Sequence, residues 1–204
     1  MTRIHPTKAK LITTFLELAA QKGVESVTVE DVLAASKVSK GSLYHHFANF
    51  DDLIEEAMAR LYAEGIDRSI TVMSGTLLGC KTRDEFLAGI KLSIEQTINP
   101  ESKPFRLNRA RIIGMCSKND NLRARIAAEQ ERLSSAFEAL IREAQAQGWV
   151  KPELDAPAAA LLVQAYTFGK VIDDIALNPV DQQAWAILIM QMLESVYLKP
   201  ASAA

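Results

Sequence analysis

Wherever this chain shows a regular apolar period, the repeat is three or four residues, and no stretch alternates convincingly between apolar and polar. Apolar side chains at i, i+3, i+4 and i+7 line one face of an α-helix, whereas a half-buried strand needs period two. The chain is therefore expected to be all-α. Its 204 residues suffice for a substantial core and two subdomains. A composition 49% apolar and 24% charged is that of a globular protein.

Caps and breakers divide the pattern into elements. The first helix is expected from about Thr7 to Lys22, with Leu11, Phe15, Leu18 and Ala19 on one face and Gly23 as its stop. Thr28 with Asp31 forms a capping-box-like pair that opens a second helix, with Val32 and Ala35 inward and an end near Ser36. Ser36-Lys37-Val38-Ser39 is a tight connection, and Ser39 caps a short third helix. Asn49 with Asp52 opens a fourth, which carries Leu53, Ala57, Leu61 and Ile66 to around Val72. Ser74-Gly75-Thr76-Leu77-Leu78-Gly79 reads as the break between domains.

Thr82 with Glu85 begins a fifth helix that ends at Asn99-Pro100, and a sixth follows Pro104 to Ser117. A long seventh, from about Asn119 to Gln147, turns Leu122, Ile126, Leu133, Phe137, Leu140, Ile141 and Ala144 inward. Arg125 and Glu129 lie one turn apart on its outer surface as an ordinary pair, and Gly148 ends it. Asp155 starts the eighth, which Asn178-Pro179 stops, and the ninth runs from Asp181 to Lys199 before Pro200.

These last two helices are apolar on nearly every side, from Leu161 to Ile175 and from Trp185 to Leu198. A surface helix needs one apolar stripe, so a helix apolar all round must be covered twice. The parent domain covers one side; a second copy of the chain is expected to cover the other in a four-helix interface. Leu162, Tyr166, Trp185, Leu188, Met192 and Leu193 are the expected dimer residues.

The net charge of −2 argues against a protein that coats nucleic acid indiscriminately. Its distribution is uneven, since Arg3, Lys8, Lys10, Lys22, Lys37 and Lys40 outnumber Glu17, Glu25, Glu30 and Asp31 through Ala48. Cys80 and Cys116 follow no metal-ligand spacing and suit a reducing cytosol. With no apolar signal segment and no run of transmembrane length, a cytoplasmic protein without membrane partners is expected.

Two short helices joined by a four-residue connection after a longer bracing helix are the elements of a helix-turn-helix. The N-terminal part of its second helix enters the major groove. Here Lys40 supplies charge, and Gly41 and Ser42 let the backbone approach closely. With Leu43 and Phe47 inward, Tyr44 and His45 project away and can donate to phosphate. Thr28 can offer its hydroxyl and backbone donors at the start of the second helix.

The stretch TVEDVLAASKVSKGSLYHHFANFDDL, Thr28 to Leu53, resembles the DNA-binding domain of TetR-family transcriptional regulators. The layout is similar too: three N-terminal helices, a connecting fourth, then a larger helical domain ending in two dimerising helices. The resemblance implies a DNA-binding domain over 1–48 and a helical effector-binding and dimerisation domain over 49–204, with 49–73 as the connecting helix. It implies a homodimeric regulator, usually a repressor, on a palindromic operator in double-stranded DNA. A small-molecule effector in the C-terminal domain typically shifts helix four and spoils the spacing of the recognition helices.

Positions matching family DNA contacts are Thr28, Ser39, Lys40, Gly41, Ser42, Tyr44, His45 and His46. Ser39 and Thr28 also serve as caps, and His46, close to the Leu43–Phe47 face, either packs or reaches phosphate. Two positions depart from the pattern. Lys37 stands where the family often has glycine; a left-handed backbone there costs on the order of 1 kcal/mol and adds a cation near the phosphates. Phe50 stands where a lysine commonly opens helix four, so one phosphate contact is expected to be missing, with Phe50 packing beside Phe47.

For the effector, a pocket among helices four to eight is expected, lined by Phe86, Ile90, Phe105, Arg109, Met115, Phe137, Tyr166, Phe168 and Asp173. Arg106 and Arg109 share a face that either receives an anion or is simply solvated. Asp173 and Asp174 interrupt an apolar helix, and an unpaired carboxylate buried there is costly. No cofactor or metal is expected. An enzyme is disfavoured, because three histidines are accompanied by no nucleophile or metal motif. A remaining alternative is a regulator whose C-terminal half answers to a protein partner or to oxidation of a cysteine.

Overall fold

A computed structural model describes residues 4–199. Arg3 and the expected stop at Pro200 lie outside these residues. Nine α-helices make up the described chain: α1 (Pro6–Lys22), α2 (Val29–Ser36), α3 (Lys40–His46), α4 (Phe50–Leu77), α5 (Arg83–Ile98), α6 (Lys103–Met115), α7 (Asp120–Ala146), α8 (Ala156–Asp174) and α9 (Gln182–Val196). The sole β feature among them is an isolated antiparallel bridge, Val150 to Leu198, which fastens the end of α9 to the turn after α7. The expected caps are made: Thr28, Ser39, Asn49, Thr82, Asn119, Asp155 and Asp181 each accept a backbone N–H of the first turn. Each cap satisfies a donor that the helix itself leaves unpaired.

Two apolar clusters hold the helices together. The first joins Leu11, Phe15, Val32, Leu43, Phe47, Leu53 and Met58 of α1–α4 to Ile112 of α6 and Leu122, Ile126 and Leu133 of α7. The second joins Phe86 and Ile94 of α5, Ile141 and Ala144 of α7, Ala159 and Ala160 of α8, and Ile189 and Leu193 of α9. The long α7 belongs to both. The N-terminal unit therefore shares its core with the first half of the C-terminal unit through α4.

Several local expectations are corrected. Helix α4 does not stop near Val72 but continues to Leu77, so the connecting helix outruns its expected limit at residue 73. The Thr76 hydroxyl donates to its own helix at the Val72 carbonyl and meets Ser93 Oγ of α5 at 2.8 Å. Gly89 of α5 lets the two helices close there, since a Cβ on it would overlap the Thr76 carbonyl. Ala35 faces solvent, and Ser36 is buried in its place, its hydroxyl accepting the Val38 N–H in the turn. Helix α8 ends at Asp174, ahead of Asn178-Pro179. Arg125 does not pair with Glu129; it crosses to Asp52 (3.1 Å) and Glu56 (3.7 Å) of α4, while Glu129 pairs with Arg132.

Candidate functional site

The first site is the outer face of α2, the turn and α3. Leu43 and Phe47 are buried and fix the rotation of α3. That leaves Lys40, Gly41, Tyr44 and His45 exposed, with Ser42 and His46 half-buried. Lys37 adopts a left-handed backbone, φ 54°, at the turn. Its side chain is exposed, and neither it nor Lys40 makes an ion pair among the described residues. Both cations are therefore uncommitted. Lys8 is not: it pairs with Glu56 at 2.6 Å and lies over the Phe47 ring.

Thr28 is exposed and caps α2 as expected, but its donors are committed. Its hydroxyl donates to Asp31 Oδ2 (2.7 Å), and its backbone N–H donates to the same oxygen (2.8 Å). Lys22 reaches that carboxylate as well, and with Thr28 it holds the Asp31 carboxyl well below the usual carboxylate range. Both Thr28 donors are thus spent internally, leaving the first free N–H groups of α2 for an anion. Ser39, by contrast, only accepts from the Ser42 N–H (3.2 Å), so its hydroxyl proton is free.

All three histidines gather beside this face. The His46 ring lies 4.7 Å from that of His5 and 5.2 Å from that of His45. Desolvation, then the neighbouring His5, His45 and Lys8, push its pKa down, so the neutral ring predominates near pH 7. Phe50 packs edge-on against Phe15 of α1 at 6.1 Å, on the first cluster, to which Phe47 also belongs.

The second site is a cavity of about 470 Å³ where the two clusters meet. Phe86, Ile90, Phe105, Arg109, Phe137, Tyr166 and Phe168 all line it. Met115 does not, since it packs into the first cluster at the end of α6. Asp173 does not either: it pairs with Lys170 and accepts the Val180 N–H, and Lys170 holds its carboxyl below the usual range. Asp174 is the more deeply buried of the two, gripped by Arg106 through both oxygens (2.6 and 2.7 Å). Tyr166, expected at the dimer face as well, lines this cavity, and burial pushes its hydroxyl pKa up. Leu193 is buried in the second cluster and lines the cavity, so it is not a surface residue.

The sequence reading missed a polar relay along one wall. Gln130 Oε1 accepts both the Tyr62 hydroxyl of α4 (2.7 Å) and Arg109 Nη2 of α6 (3.1 Å). Its Nε2 donates to Gln164 Oε1 of α8. No spacing rule relates residues on four separate helices, so nothing local signalled the network.

Gly65 of α4 abuts the Phe105 ring, and a Cβ there would overlap it. Gly65→Ala is expected to lower stability by about 1–3 kcal/mol through overpacking, read in urea unfolding. Unchanged stability would show that Phe105 moves into the cavity freely.

A family model described as "Bacterial regulatory proteins, tetR family" matches residues 11–57. The chain is 20% identical over 183 residues to the HTH-type transcriptional regulator UidR of Escherichia coli, covering 90% of this chain and 88% of that protein. It is 29% identical over 167 residues to the transcriptional regulator AcuR of Cereibacter sphaeroides, covering 78% and 70%. Its fold is similar to that of a putative transcriptional regulator from Saccharomonospora viridis solved with choline (TM-score 0.70, 18% identity, covering 95% of this chain and 98% of that one). Among the described residues, no helix is long and apolar enough to cross a membrane, and no three His, Cys, Asp or Glu are grouped to hold a metal ion.

Proposed function

The chain belongs to the TetR family of DNA-binding transcriptional regulators, and from that premise we propose a homodimeric repressor that a small molecule releases from a palindromic operator. Residues 1–48 act as the DNA-binding unit and 49–204 as the effector and dimerisation unit, joined by α4 out to Leu77. The observation that carries the effector reading is the cavity. Its volume of about 470 Å³ falls within the range of small-molecule sites, and its wall is mostly apolar with a few convergent polar groups. The S. viridis regulator with choline is a neighbour of this fold that binds a small molecule.

A protein partner acting on the C-terminal unit is the weaker reading, since it does not account for this cavity. An oxidative trigger is weaker still. Burial pushes both thiols up, and each donates to the last turns of the helix before it, Cys80 to Thr76 O of α4 and Cys116 to Ile112 O of α6. A thiol held protonated is a poor nucleophile toward oxidants.

In the operator complex, Lys40, Lys37, Tyr44, His45 and the Ser39 hydroxyl contact phosphate, while Gly41 and Ser42 allow close approach. His46 packs against His5 and steadies α3. A duplex selected from a random pool by the dimer provides the test. Lys40→Ala is expected to weaken binding and to reduce the slope of log affinity against log salt by about 0.9 per phosphate released. Tyr44→Phe is expected to cost about 1.5–3 kcal/mol per protomer, the worth of a hydrogen bond to a charged acceptor. Wild-type affinity in both variants would remove α3 from the interface.

A further inference from the structure

Two arginines of α6 line the cavity, and they are in opposite states. Arg106 is saturated: Asp174 takes it through two bonds, and the Thr97 (2.6 Å) and Asn99 (3.2 Å) carbonyls accept from Nη1. Arg109 has no carboxylate partner among the described residues. It donates once, from Nη2 to the neutral Gln130 Oε1, and its Nε is buried with no acceptor. The Tyr62 and Phe168 rings flank its guanidinium at 5.9 and 5.8 Å. A cation turned away from water without a counter-charge is costly. The fold supplies aromatic faces and one amide oxygen in place of an anion, and the nearby carboxylate Asp174 is already committed to Arg106.

Resting on the reading of this cavity as the effector site, we propose that the effector is a small organic carboxylate with an apolar body, and that Arg109 is the residue that recognises it. The guanidinium fork matches a carboxylate through two parallel hydrogen bonds and supplies the donor that Nε now leaves unused. Besides Arg106, the other charged residues lining the cavity, Arg68 and Glu101, are exposed, so Arg109 is the half-buried cation left uncommitted, and a single fork suits a monoanion better than a phosphate dianion. The body of the ligand fills the space bounded by Phe86, Phe137 and Tyr166. Recognition is coupled to α4 by the same atoms. Gln130 Oε1 accepts from both Arg109 of α6 and the Tyr62 hydroxyl of α4, so a carboxylate that draws Arg109 away frees the oxygen from α6 and leaves it to Tyr62 alone.

The test uses the full-length dimer and a matched pair of probes, 1-naphthaleneacetate and its neutral amide, titrated by calorimetry. The wild type is expected to bind the acid about tenfold or more tighter than the amide, the effect of a charge-assisted hydrogen-bonded pair. Arg109→Met is expected to remove that preference, so that the acid binds no tighter than the amide. Arg109→Lys, which keeps the charge without the fork, is expected to retain part of it. Equal affinity of the wild type for the two probes overturns the assignment without any variant, as does a preference that survives Arg109→Met. Failure of both probes to bind the wild type would instead count against the cavity as an effector site, and the carboxylate assignment would fall with it.

Discussion

Asp174→Ala is expected to lower the unfolding free energy by about 3–5 kcal/mol, the cost of leaving a buried charge unpaired. The side chains of Arg106 and Asp174 are each only 6% exposed, and they join α6 to α8 across 68 residues of sequence. Arg106 also holds the C-terminal carbonyls of α5 at Thr97 and Asn99, so a single guanidinium ties three helices around the cavity. Removing its partner strands a cation in the wall. The same argument predicts the outcome of removing both: Arg106→Met with Asp174→Leu should recover most of the loss, because a buried pair and its apolar replacement are often close in free energy. Urea unfolding of the two single variants and the double variant forms a cycle that measures this coupling. Equal losses in the single and double variants would mean that the ion pair is incidental to a packing defect.

What the sequence made legible divides by distance along the chain. Capping pairs such as Thr28 with Asp31 or Asn49 with Asp52 act within four residues, so the chain itself carries both partners and the helix starts came out correctly. The aromatic wall of the cavity was legible too, because helical spacing places Phe86, Ile90 and Phe137 on inward faces. Sequence spacing offers Arg125 the carboxylate of Glu129, one turn away; tertiary packing brings it Asp52 and Glu56 instead. The Tyr62–Gln130–Arg109 relay depends on how α4, α6 and α7 are laid against each other, which no local pattern encodes. Thr28 shows a subtler limit. Its residue type signals a cap and a phosphate donor equally, and only the geometry reveals that Asp31 consumes both of its donors.

The rotation of α8 and α9 was illegible for a related reason, and it decides which apolar residues are left to meet a second copy. A helix apolar all round has no stripe to say which side meets its own core. In the folded chain, Leu193 is 5% exposed whereas Leu188 is 56% exposed, and Leu161, Leu162 and Ile187 share that exposure. Trp185 and Met192 are half-buried against the second cluster. Leu188→Glu is therefore expected to leave each protomer folded while a two-fold interface gains a carboxylate on both sides. Sedimentation should show monomers, and operator affinity should fall by about 10²–10⁴-fold as each recognition helix loses the help of the other. Leu193→Glu buries the same charge inside the protomer, so its first effect should be lost helicity. The circular dichroism of the two variants separates these outcomes. A Leu188→Glu protein that remains dimeric would move the interface off this face, because that side chain is more than half exposed in the protomer.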